Sequence, residues 1–315
     1  MSNNTAVKRP TARKEMTKAQ WTWREMKKNK VAYAMIAPFM ILFFIFTVFP
    51  VILSVVLSFT DFNLLEMPRF LFMDNYIRLF LDDDIFLLAA QNTLVFACIT
   101  GPVSYLLSLF IAWFINELSP KVRVLLTLCF YAPSISGNAY LIWTLLFSSD
   151  RYGMINGLLM NLGVIDSPIQ WFQDTKYMIG LCIAVLLWMS IGTSFLVFIA
   201  GFQGIDRSLY EAGMVDGVKN RIMELWYITL PQMKPQLMFG AIMSITGAFG
   251  VGPTITGLVG FPSTDYSTHT LLLHMQDFGT IRYEMGYAST IAVFLFILMF
   301  ATNKLVGKLL SKLGK

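Results

Sequence analysis

Six stretches of this 315-residue chain, at 31–58, 91–115, 124–147, 177–201, 236–259 and 286–303, contain no Lys, Arg, Asp or Glu. A helix needs about 20 apolar residues to cross the hydrocarbon of a bilayer, and each stretch is close to that length or longer. The stretches are continuously apolar and do not alternate with period two, which excludes a strand barrel. Helices satisfy their own backbone in lipid, so the predicted fold is an all-α membrane protein with six transmembrane helices. Hydrophobic residues make up 56% of the chain, charged residues 14%, and mean hydropathy is +0.61. A soluble domain of this size has no volume in which to hide so much apolar surface.

Every charge therefore lies in a loop or tail, and its placement predicts topology. With the N-terminus taken as cytoplasmic, the inside segments 1–30, 116–123, 202–235 and 304–315 hold 19 of the 24 Lys/Arg residues. The outside loops 59–90, 148–176 and 260–285 hold 12 of the 19 acids. The positive-inside rule then places both termini and the loop 202–235 in the cytoplasm of a multi-pass cell-membrane protein. Net charge is +5, but the basic residues cluster at membrane borders, which points to lipid and away from nucleic acid. Residues 1–30 read as a basic cytoplasmic tail with an interfacial segment at Trp21, Trp23, Arg24, Lys27, Lys28 and Lys30, and 31–315 as one six-helix transmembrane domain. The first apolar run is too long for a signal-peptide core and is expected to be retained. Cys98, Cys129 and Cys182 fall within spans and read as small packing residues. His269 and His274, in the last outside loop, match no zinc spacing and read as surface residues, so no metal site is expected.

The inside loop 202–235 carries helix signals of its own. Ser208-Leu209-Tyr210-Glu211 fits a capping box, so a short helix is expected to start there. Leu209, Ala212 and Gly213 share one face, and Gly217 suits the left-handed residue that ends a helix. Asn220 suits the cap of a second short helix, with Ile222, Leu225, Trp226 and Thr229 on one face. Pro231 stops or bends that helix, and Pro235 opens the next span. Read from these residues alone, the loop is either a docking element or a solvated helix-turn-helix between spans.

The stretch 211–231, EAGMVDGVKNRIMELWYITLP, resembles the EAA motif of permease subunits of binding-protein-dependent ABC importers. Glu211-Ala212-Gly213, Asp216-Gly217 and Ile228, Leu230 and Pro231 stand at the motif's E-A-A, D-G and I-x-L-P positions. There are two departures: Gly213 replaces the second Ala, and the spacing from Gly217 to Ile228 is one residue longer than usual. Ala37-Pro38-Phe39 with Pro50, Asn92-Thr93, Pro133 to Gly137 with Trp143, Tyr152 to Asn156, Gly260-Phe261-Pro262 and Met285 to Ala288 extend the resemblance over nearly all the chain beyond residue 30. They are most similar to permeases of the maltose and multiple-sugar uptake class. The resemblance implies the type I ABC importer permease fold and ATPase coupling through Glu211, Ala212, Gly213, Asp216, Gly217, Ile228, Leu230 and Pro231. It implies as partners a second homologous permease, two cytoplasmic ATPase subunits and an extracellular solute-binding protein.

Several absences narrow the chemistry. No G-x-x-x-x-G-K-S/T string occurs, so ATP and Mg are expected on the partner ATPase and no cofactor on this chain. H-E-x-x-H and G-x-S-x-G are also missing, which argues against an enzyme. A six-helix secondary carrier or channel is the competing class, but ion coupling usually leaves an ionisable residue within the spans. A path without charge favours a neutral, hydroxyl-rich solute, a sugar or oligosaccharide, over a phosphorylated or amino-acid solute. Asn92, Tyr105, Ser136, Asn138, Tyr140, Trp143, Trp188, Ser190, Thr193, Ser194, Ser244 and Thr246 offer the hydrogen bonds and aromatic faces for it. Each such hydroxyl either meets solute or bonds to its own backbone. Likewise Pro133 and Gly137 either kink a packed helix or shape the path.

Overall fold

The structure, a computed structural model, describes residues 17–311. It divides into two compact units, Met1–Leu53 and Ser54–Lys315. In the first lie helix α1, Lys18–Lys28, and most of α2, Lys30–Leu57. Trp21 and Trp23 of α1 are exposed, and Lys27 Nζ sits 5.5 Å from the centre of the Trp23 ring. α2 widens into a π-turn at Phe44–Val48, where the Phe49 N–H reaches back to Phe44 O just before Pro50. A proline has no N–H to give and its ring crowds the carbonyl four residues back. The wider turn relieves both problems.

The second unit is built on α3, Asp84–Asn116, a 33-residue helix about 50 Å long. Asp83 caps it by accepting from Phe86 N at 2.9 Å. Around it stand α4 (Pro120–Ile135), α5 (Leu141–Leu146), α6 (Met154–Asn161), α7 (Thr175–Met189) and α8 (Thr193–Gln203). After the short helices α9 (Arg207–Val215) and α10 (Arg221–Glu224) come α11 (Lys234–Phe249), α12 (Gly252–Val259), α13 (Leu271–Gln276) and α14 (Met285–Ser311). Among the described residues the only β-structure is an isolated bridge, Thr60 to Phe70.

Among the described residues four helical segments are long and apolar enough to cross a membrane: Lys30–Leu57, Asp84–Asn116, Thr175–Gln203 and Met285–Ser311. A fifth exists if α11 and α12, bent by 41° at Gly250 and Val251, count as one span. The expected third span, 124–147, is not one helix. α4 ends at Ile135, Gly137 takes φ +62, and α5 supplies only six further residues. Pro133 weakens the last turn of α4 and Gly137 turns the chain out of it.

Three apolar clusters hold the second unit together. Leu109, Ala112 and Ile115 of α3 pack with Phe195, Phe198 and Phe202 of α8 and Leu237 of α11. Gly240 of α11 lets the Phe198 ring lie against its backbone, where a Cβ would collide with the ring. A second cluster joins Phe96, Cys182, Val185 and Leu186 to Ile255 and Leu258 of α12. The third, with Phe86, Ala89, Leu271, Phe278 and Ile291, lies around the start of α3.

Candidate functional site

The loop between α8 and α11 is a stapled helix-turn-helix. α9 is capped by Asp206, whose carboxylate accepts from Ser208 N at 3.0 Å. The helix thus starts before Ser208, correcting the expected capping box: Ser208 lies in the first turn and the cap is two residues upstream. Gly217 ends the turn at φ +92, with Val218 N donating to Gly213 O at 2.9 Å. Asn220 caps α10 by accepting from Met223 N at 2.8 Å, as the sequence suggests.

Beyond α10 the helix opens into a second π-turn, Leu225–Thr229, closed by Leu230 N–H to Leu225 O immediately before Pro231. It repeats the arrangement before Pro50. A π-turn holds one more residue than an α-turn, so the residue in excess of the motif's spacing has a place to sit. It also splits the expected face of the second helix: Thr229 is buried and Leu225 packs inward, whereas Ile222 and Trp226 are 70% and 60% exposed. Of the motif positions, Gly213 and Ile228 meet. A Cβ on Gly213 would stand 2.5 Å from Ile228 Cδ1, so the glycine that departs from the motif makes room for that side chain. Glu211, Ala212, Asp216 and Gly217 are exposed, as is Pro231, and Leu230 is half-buried.

This loop is fastened to the end of α3. Arg221 bonds Glu224 at 2.7 Å and Glu117, just past α3, at 3.2 Å. The Tyr210 and Thr229 hydroxyls, 3.0 Å apart, tie α9 to the π-turn. Between loop and bundle opens a cleft of about 600 Å³ whose charged lining is Glu117, Arg123, Arg207, Glu211, Arg221 and Glu224.

A smaller cleft, about 260 Å³, lies within the bundle where α7–α8 and α11–α12 are both interrupted. It collects Ser190, Thr193, Ser194 and Ser244 from the expected path, together with Thr100, Ser104, Ser134 and Thr254, which were not anticipated. Among the described residues no charged side chain lines it. Most of these hydroxyls donate to backbone: Thr100 to Phe96 O, Ser104 to Gly101 O, Ser134 to Tyr131 O and Ser190 to Leu187 O. Ser194 donates to Gly240 O on the facing helix. A hydroxyl that donates still has lone pairs to accept with, so the wall is an uncharged field of acceptors.

The other expected path residues lie elsewhere. Asn92 is buried and donates to Tyr266 O and His269 O, pinning the segment before α13 to α3. Trp143 meets Trp188 edge-on at 5.7 Å and stacks on Phe147, in the second cluster. The Tyr140 ring covers Gly257, and the Tyr105 ring packs edge-on against Phe198. Ser136 and Asn138 are exposed in the break after α4, and Thr246, also exposed, donates to Ile242 O.

The expected surface placement of His269 and His274 is overturned, since both are 1% exposed. His269 Nε2 is 3.2 Å from His274 Nδ1, and His274 Nε2 is 2.9 Å from Asp83 Oδ2. The Tyr287 hydroxyl donates to the same Asp83 oxygen at 2.6 Å. Buried imidazoles are stable here because each finds a polar partner. Among the described residues no cluster of His, Cys, Asp or Glu has the arrangement of a metal site. Cys182 is buried, whereas Cys98 and Cys129 are exposed and unpaired.

No family model matches the chain. Relatives are nevertheless found along most of its length. It is 34% identical over 272 residues to the probable ABC transporter permease protein YesP of Bacillus subtilis (strain 168), covering 84% of this chain and 85% of that one. It is 31% identical over 280 residues to the lactose transport system permease protein LacF of Rhizobium radiobacter, covering 84% and 89%. To the arabinooligosaccharides transport system permease protein AraP of Bacillus subtilis (strain 168) it is 28% identical over 291 residues, 91% of each chain. Its fold matches a chain of a bacterial ABC transporter involved in import of the acidic polysaccharide alginate, with TM-score 0.75, 22% identity and coverage of 94% and 100%. A chain of the alginate transporter in complex with an alginate pentasaccharide-bound periplasmic protein gives TM-score 0.74 at 21% identity. The chain belongs to the family of ABC transporter permeases.

Proposed function

We propose that this chain is one transmembrane subunit of an ATP-driven importer for a sugar or oligosaccharide handed over by an extracellular binding protein. Both termini and the loop 202–235 face the cytoplasm in this reading. Two ATPase subunits, which hold ATP and Mg, grip the loop through Glu211, Ala212, Gly213, Asp216 and Gly217 and the Ile228, Leu230 and Pro231 end. A second homologous permease completes the passage. Nucleotide-driven closure of the ATPases moves the loop, and the spans reorient about the inner cleft by alternating access.

The observation that carries this reading is the stapled loop of a family member: capped at Asp206 and Asn220, turned at Gly217, and tied to α3 through Arg221 and Glu117. A force applied to such a loop is transmitted to the longest helix of the second unit instead of being lost in a flexible link. Carbohydrate as cargo is supported by the relatives' lactose and arabinooligosaccharide systems and by an inner cleft with hydroxyls and no charge. The test is reconstitution in proteoliposomes with the second permease, the ATPase and the binding protein, followed by uptake of labelled neutral oligosaccharides. Uptake is expected only with ATPase and ATP both present. Uptake by the chain without any ATPase contradicts the proposal and favours a carrier or channel.

A further inference from the structure

The two buried histidines lie at the start of α3, about 50 Å along that helix from the loop that ends beside Asn116. They take no part in the transport reading above. Asp83 Oδ2 accepts from both the Tyr287 hydroxyl and His274 Nε2, which makes Nε2 the protonated nitrogen of His274. Its Nδ1 is then an acceptor, filled by His269 Nε2–H. His269 Nδ1 is left bare, and it is buried with no hydrogen-bond partner among the described residues. The hydrogen-bond pattern therefore assigns both rings as neutral Nε2–H tautomers in one directed chain, His269 to His274 to Asp83.

Among the described residues, the charged groups beside the two rings are matched by an opposite charge, save Asp83. Arg78 bonds Glu284 at 2.6 Å and lies over the Tyr287 ring at 4.2 Å. Arg282 bonds Asp277 at 2.6 Å and lies over the Phe278 ring at 4.2 Å. Tyr266 meets His269 edge-on and Phe278 meets His274 in the same way, neither bringing charge. Asp83 is the carboxylate in hydrogen-bond contact with the pair. Burial alone would raise its pKa, but the hydrogen bonds from His274 and Tyr287 outweigh that and hold it below the usual carboxylate range.

We propose that His269, His274 and Asp83 form a buried site for a single proton, which the histidine pair takes up as a unit when the medium is acidified. The proton arrives at the free lone pair, His269 Nδ1. Transfer of the Nε2 proton of His269 to His274 Nδ1 makes His274 the imidazolium, donating to Asp83 from Nε2 and to His269 Nε2 from Nδ1. His269 ends as the neutral Nδ1–H tautomer, so one proton has been added and none lost. A second proton is resisted. Burial first, and the His274 charge next, push the His269 pKa down to about 4. The protonated state exchanges a bare buried acceptor for a buried N–H without a partner. Acid is expected to cost the fold stability here, in the segment before α13 that Asn92 holds through Tyr266 O and His269 O.

The sign follows from His269. An unfolded histidine near pKa 6.5 binds more protons than this buried one between about pH 6.5 and 4, so stability from that residue is full above the range and falls as pH drops through it. The chain has only two histidines, so nitrogen-15 histidine labelling reports on the site alone. In the full-length chain in lipid nanodiscs, the ring nitrogens are followed from pH 8 to 5. Both rings are expected to change with one shared midpoint, one becoming imidazolium and the other switching from Nε2–H to Nδ1–H. Two independent midpoints giving two imidazolium rings, or rings that do not change, overturn the proposal. Asp83→Asn is expected to lower the midpoint by about one pH unit through loss of the opposite charge; an unchanged midpoint removes Asp83 from the site. The titration needs no transport, so it can fail while the importer reading stands.

Discussion

Replacing Gly217 by proline is expected to lower ATP-driven solute uptake by about tenfold while the protein still inserts into the membrane. Gly217 sits at φ +92, and proline is locked near −65°, so the turn between α9 and α10 cannot keep its shape. Strain of this kind costs about 1–3 kcal/mol, and about 1.4 kcal/mol already corresponds to a factor of ten. The turn lies in the loop between α8 and α11, outside the apolar clusters of the bundle, so membrane levels are expected to stay near normal. Glu211→Lys tests the same element by charge. Glu211 shares a cleft with Arg123, Arg207 and Arg221 and with the acids Glu117 and Glu224, and reversing its sign turns a balanced lining basic on the face the ATPase is proposed to grip. Uptake is expected to be lost with insertion retained. Normal uptake by correctly inserted Gly217→Pro and Glu211→Lys proteins would remove the loop from the mechanism.

Filling the inner cleft is expected to have an effect of similar size by a different route. Ser244→Trp places a bulky ring in a cleft of about 260 Å³, against Ser194, whose hydroxyl is 3.3 Å from that of Ser244. Solute uptake is expected to fall to background, while hydrolysis of ATP by the assembled complex persists because the loop is unaltered. Thr246→Trp is the control: two residues away, Thr246 is exposed and absent from the cleft lining, and uptake is expected to persist. Full uptake by Ser244→Trp, measured in the same proteoliposomes, places the solute path elsewhere.

Much of the architecture was legible in the chain because the signals were local. Charge-free runs announce helices in lipid, and Gly217 and Asn220 announce a turn and a cap through their own backbone and side-chain chemistry. The misreadings have physical causes too. Asp206 and Ser208 are both residue types that cap helices, and the backbone conformation decides in favour of Asp206 although only Ser208 has a Glu three residues on. The break in 124–147 was hidden by apolar residues on both sides of Pro133 and Gly137. The π-turn at Leu225–Thr229 had a visible cause, Pro231 in a helical context, but its result is a changed register that no side-chain pattern displays.

The inner cleft was half legible. Thr93, Thr100, Ser104 and Ser108 recur at helical spacing along one face of α3, a polar stripe in an apolar span that helical periodicity could have exposed. Thr100 and Ser104 line the cleft, whereas Thr93 accepts from Leu271 N at 2.8 Å. The histidine pair was illegible for another reason: Asp83 lies 191 residues before His274, so no local pattern announces their meeting.

In the proposed mechanism the loop faces the cytoplasm and is covered there by an ATPase. Ala212 is exposed on α9, so Ala212→Cys in a chain with Cys98, Cys129 and Cys182 replaced by serine reports on that face. A membrane-impermeant maleimide is predicted to leave intact cells unlabelled, to label inside-out vesicles stripped of ATPase, and to be blocked when purified ATPase is added back. Labelling from outside intact cells, or labelling indifferent to the ATPase, would contradict it.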